Sequence, residues 1–93
     1  MNTANLQLEG LVMAIAAMAD VIVDKGLISR RDINAALEEA ERAIAEDGKR
    51  ELSDANRAAA LFPIRVLLLA GQDAQRAKRL TFSDYAELVG RST

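Results

Sequence analysis

Hydrophobic positions in the first quarter of the chain recur at helical spacing. Five large aliphatic residues lie alternately three and four positions apart, as in a coiled-coil stripe: Leu8, Leu11, Ile15, Met18 and Ile22. A ridge of smaller apolar residues runs beside them: Val12, Ala16, Ala19 and Val23. The pattern predicts a helix from about Asn5 to Lys25 that Gly26 ends. Because this helix is apolar around most of its circumference, we expect a central position or a subunit interface.

A second helix is predicted by a start signal and an amphipathic pattern. Ser29 can act as the N-cap, and Asp32 follows three residues later, which is a variant of the capping box. The apolar stripe behind it contains Ile33, Leu37, Ala40 and Ile44. Gly48 is predicted to end this helix, which has the pattern of an amphipathic surface helix.

A third helix is predicted to begin at a second cap, Ser53, with Asp54 in its first turn. Pro63 lies too deep for a first-turn proline, so we expect it to kink or split the helix near Leu61. The most hydrophobic run of the chain follows, over residues 64–69. Good helix formers beyond Gly71 favour continuation of the helix toward Leu80, although Gly71 could also end it.

The last predicted helix is short and has a capping pair of its own. Thr81 and Asp84 have the N-cap spacing, and the helix is predicted over residues 82–89, with Gly90 ending it. Phe82, Tyr85 and Val89 share one face. We expect this face to dock onto the core or onto a partner subunit.

The elements together predict an all-α protein. Ninety-three residues make one domain, 1–93, which we expect to be a small bundle of three to four helices. Of these residues, 18 are Ala, so few side chains are large enough to fill a core. Because an Ala-rich core of this size is marginal for a monomer, a homodimer or other homo-oligomer is expected.

The composition excludes several kinds of chemistry. The chain contains no Cys, no His and no Trp. Disulfides, thiolate catalysis, His-dependent triads and zinc sites are therefore excluded. No catalytic residue, cofactor site or metal site is predicted, and we expect the chain not to be an enzyme.

The charge pattern gives little support to nucleic-acid binding. The net charge is −2, and the second helix is strongly acidic. The basic residues available for a phosphate backbone are few: Arg30, Arg31, Arg76, Lys78 and Arg79. A nucleic-acid-binding regulator that uses them is kept as an alternative function.

Asp20 and Arg65 are each the only charge within 13 otherwise apolar residues. One hypothesis is a desolvated ion pair between them that fixes helix register or lines a pocket. Another is that each belongs to a solvated stripe of its own helix. A third is that Arg65 forms the anion site of a small ligand-binding protein.

The apolar segment 11–23 is predicted to lie within the fold and not in a membrane. It has 13 residues, whereas a span needs about 20, and no basic segment precedes it as in a signal peptide. We therefore expect a cytoplasmic protein without membrane contact. The expected function is that of a non-catalytic interaction module (adaptor, regulator or accessory subunit) that acts by self-association or by contact with another protein.

Overall fold

The computed structural model describes residues 3–47, 53–75 and 80–92 of the chain. Four helices occupy these ranges: α1 (Thr3–Asp24), α2 (Arg30–Ala45), α3 (Asp54–Gln75) and α4 (Phe82–Ser92). The described ranges contain no strand, which confirms the all-α prediction.

The predicted caps lie at the starts of three helices. Ser29 Oγ accepts a hydrogen bond from the Asp32 amide at 3.1 Å, and Ser53 Oγ accepts one from the Asn56 amide at 3.1 Å. At α4 the box is reciprocal. The Asp84 amide donates to Thr81 Oγ1 at 3.2 Å, while the Thr81 amide donates to Asp84 Oδ2 at 3.3 Å.

Gly26 ends α1 as predicted, whereas Gly90 does not end α4. Gly26 has a φ of +73°, the left-handed conformation that stops α1. Gly90 does not end α4, because the helix continues to Ser92 and that prediction is wrong. A helical Gly costs only about 1 kcal/mol relative to Ala, which neighbouring residues can offset. The predicted end of α2, Gly48, lies outside the described residues, and the helix itself ends at Ala45.

Pro63 lies inside α3 without dividing it. The helix is continuous from Asp54 to Gln75, so it is not split near Leu61, and the alternative, a kink at Pro63, stays a prediction. Proline removes the hydrogen bond to the carbonyl of Ala59, four residues earlier. The segment around it is held by packing, since Leu61 is 4% exposed and Val66 is fully buried.

The α3 helix is the centre of the bundle and packs against each of the other three helices. The core lies between α1, α3 and α4, and its buried members are Val12, Ala16, Val66, Ala70, Tyr85 and Val89. Tyr85 is the only one with a bulky side chain. The buried part of the core is therefore small, as the alanine content implies.

Gly71 lies within α3 because α2 approaches closely there. A Cβ at this position would lie 3.3 Å from Arg30 Nη1 and 3.6 Å from Asn34 Oδ1. The helix continues beyond Gly71, which confirms the favoured prediction. The missing side chain of Gly71 leaves space for the guanidinium group of Arg30.

Gly71→Ala should therefore fail to give the stabilisation that Ala normally brings to a helix. At Gly10, in α1, a Cβ meets no atom within 4 Å. We expect Gly10→Ala to raise the free energy of unfolding by about 0.5–1 kcal/mol. Gly71→Ala should give no gain or a loss in urea denaturation, and equal gains at both positions would contradict this role of Gly71.

Candidate interaction surface

The core-facing side of α1 is the ridge of small residues and not the stripe of large ones. Val12 and Ala16 are 2% and 4% exposed. In contrast, Leu11 is 59% exposed, Ile15 42% and Met18 64%. The other two members of the predicted stripe, Leu8 and Ile22, are half-buried at its edge. Small side chains on α1 allow its backbone to lie close to α3.

The exposed side of α1 is uncharged. Leu6 and Val21 extend the exposed stripe, at 53% and 54% exposure. Asp20 lies away from it, since its side chain projects about 180° from Leu11 and Met18 at 100° per residue. We use the name outer face for the residues Leu11, Ala14, Ile15, Met18, Val21 and Ile22. This face is an apolar strip that is exposed except at Ile22, which is half-buried.

The exposed apolar surface continues just beyond α1. Leu27 and Ile28, in the segment that follows the helix, are 74% and 44% exposed.

The hypothesised ion pair between Asp20 and Arg65 is not formed, because each side chain has another partner. Asp20 Oδ1 accepts a hydrogen bond from Arg30 Nη2 at 2.7 Å, and the two side chains are 28% and 10% exposed. Arg65 Nε lies 3.5 Å from Glu41 Oε2, and both of those side chains are 32% exposed. Asp20 therefore joins α1 to the start of α2, while Arg65 joins α3 to α2.

Arg30, one of the basic residues considered above for nucleic-acid binding, is the one charged residue that is buried within the described ranges. Its guanidinium group lies over Gly71, and its Nε is buried without a hydrogen-bond partner. The buried Asn34 Oδ1 close by is likewise unsatisfied. Arg30 is consequently unavailable to a phosphate backbone, whereas Arg31 is exposed. Arg76, Lys78 and Arg79 lie outside the described residues.

The predicted docking face of α4 lies against this chain's own core. Tyr85 is fully buried and Val89 is 4% exposed. The Phe82 ring meets Phe62 edge-on, with 6.0 Å between centroids. Tyr85 Oη accepts a hydrogen bond from the Leu80 amide at 2.8 Å. Tyr85 and Val89 are therefore buried within the chain and are not exposed to a partner subunit.

The α1 helix is longer than its purely apolar segment. It has 22 residues, and by length and composition it could cross a membrane, with a mean hydropathy of 1.8. The prediction that this segment is too short to cross a membrane counted 13 apolar residues. The full length of α1 does not exclude a membrane span. Within this structure α1 is tied to the bundle by Val12, Ala16 and Asp20.

A double-mutant cycle should distinguish the observed ion pair from the hypothesised one. Asp20→Ala combined with Arg30→Met should show a coupling of about 1–3 kcal/mol, because Asp20→Ala leaves the buried guanidinium group of Arg30 without its carboxylate. Asp20→Ala combined with Arg65→Met should be additive within about 0.5 kcal/mol. Urea denaturation measures both cycles, and coupling in the second alone would contradict the geometry.

Comparison with known proteins does not assign this chain to a family. Among the described residues, no group of three or more acidic side chains could hold a metal ion. No protein-family model, no curated protein and no solved structure is significantly similar to this chain. The contacts and surfaces of the molecule itself are therefore the basis for its function.

Proposed function

We propose that this chain is a non-catalytic interaction module that self-associates through the outer face of α1. Its role would be that of an adaptor, regulator or accessory subunit. The observation that carries the proposal is the exposure of Leu11, Ile15 and Met18 on a face without charge. Large uncovered apolar patches on small proteins mark sites of association.

The shape of the outer face supports a second copy as the occupant. The face combines large side chains with a shallow hollow lined by Ala17, Met18, Val21 and Ile22. In a two-fold dimer the same patch meets itself, so large side chains of each copy can enter the hollow of the other.

The absence of His and Cys from the sequence supports a non-catalytic role.

A cytoplasmic location is part of the proposal, since α1 contributes Val12 and Ala16 to the core and Asp20 to a buried contact. Withdrawal of α1 into a bilayer would leave Arg30 without this carboxylate. The hydropathy of α1 nevertheless makes a lipid surface the competing occupant of the outer face.

Met18→Lys should weaken self-association at least tenfold, because it buries an unpaired charge in the interface. The matched control is Ala43→Lys, which adds the same charge at an exposed position of α2. Sedimentation velocity over a concentration series gives the dissociation constants. Native mass spectrometry identifies the species as multiples of 10.1 kDa. Circular dichroism verifies that both variants remain folded.

Two results would contradict the proposal. One is a wild-type chain that stays monomeric up to millimolar concentration. The other is equal weakening of self-association by Met18→Lys and Ala43→Lys, since only Met18 lies on the outer face.

Flotation with neutral phosphatidylcholine vesicles tests whether lipid, and not a second copy, covers the outer face. A monomer that floats, and that Met18→Lys releases, would assign the face to lipid and overturn self-association.

A further inference from the structure

A second apolar surface lies on the core side of α1, away from the outer face. It is a groove of about 670 Å³ between the first turns of α1, the N-terminal half of α3 and α4. Small residues hollow it out: Ala55, Ala58, Ala59, Ala86 and Gly90. Leu8, Phe62 and Phe82 supply its larger apolar walls. The groove exists because small residues of α3 and α4 face each other without filling the space between them.

Among the described residues that line this groove, Glu9 is the only one with a charged side chain. It is half-buried. Among the described residues it has neither an ion-pair partner nor a hydrogen-bond partner. A carboxylate beside apolar walls gains most from a cation, because water screens it poorly there. The other polar lining residues, Asn5 and Ser83, are neutral.

The starts of α3 and α4 beside the groove do not favour an anion. Ser53 accepts the Asn56 amide at α3, and Thr81 accepts the Asp84 amide at α4. Asp54 and Asp84 add negative charge to these first turns, which offsets the positive ends of the helix dipoles. Among the described lining residues, the formal charge that a ligand meets is therefore that of Glu9.

We propose that this groove binds a small cationic amphiphile, with one protonated amine at Glu9 and an aliphatic or aromatic body against the Ala and Phe walls. Its volume lies within the range of about 300–1,000 Å³ that is usual for small-molecule sites. The lining covers residues 82–90 of α4, about 12 Å of helix, and a single turn of α1. A partner helix would need a longer groove, so a small molecule is the better fit.

Three probes with one alkyl chain and different head groups test this inference on the full chain: n-octylamine, n-octanol and n-octanoate. Binding is followed by chemical-shift changes of Ala methyl groups in NMR titrations at neutral pH, below any micelle concentration. Octylamine should bind at least tenfold more tightly than octanol, and octanoate more weakly than both. Shifts should be concentrated at Ala58 and Ala86, since both line the groove.

Two variants and a control complete the experiment. Glu9→Gln should remove the preference of octylamine over octanol and leave octanol binding unchanged. Gly90→Leu should weaken octylamine and octanol at least tenfold, because a Cβ there meets no atom within 4 Å and the larger side chain can occupy the groove. Glu39→Gln, at an exposed position of α2, should change nothing.

Equal binding of octylamine and octanol to the wild type would overturn the proposal, as would an amine preference that persists in Glu9→Gln. Failure of all three probes to bind would also overturn the proposal.

Because Gly90→Leu brings a better helix former to an open position, the variant is expected to remain folded. Its circular dichroism provides that control. The outcome is independent of self-association, which the outer face of α1 governs.

Discussion

The buried charge of Arg30 constrains the arrangement of three helices. Its guanidinium group donates to Asp20 of α1 and lies over Gly71 of α3, while Arg30 itself begins α2. A buried cation that loses its carboxylate is strongly destabilising, so the contact fixes which side of α1 faces α2. Asp20 projects about 180° from Leu11 and Met18. Once Asp20 is held at Arg30, the large residues of α1 point outward and Val12 and Ala16 point to the core.

Local signals made much of the fold predictable, because their chemistry acts within four residues. The hydroxyls of Ser29, Ser53 and Thr81 cap helices, and Gly26 has the left-handed conformation that ends α1. Periodicity also identified the face of α4 that contains Tyr85. These features depend on backbone groups that must find partners near a helix end, whatever the rest of the chain does.

The rotation of α1 could not be predicted in the same way. Hydrophobicity alone favours burial of Leu11, Ile15 and Met18, and α1 buries the smaller ridge instead because α3 approaches closely and Asp20 requires Arg30. Arg30 and Arg31 are adjacent in the sequence, and only the packing against Gly71 distinguishes them. The groove at Glu9 was missed because it depends on empty space between helices. The one signal for it is the density of Ala over residues 55–60.

Tyr85 has a consequence for how this molecule can be observed. It is the only tyrosine of a chain that has no tryptophan, and it is fully buried with its hydroxyl bonded to the Leu80 amide. The near-ultraviolet absorbance and emission of the protein therefore come almost entirely from one ring at the α3–α4 contact. Undocking of α4 would transfer that ring to water and expose its hydroxyl to solvent. The protein thus carries an intrinsic spectroscopic reporter for the element that forms one wall of the groove.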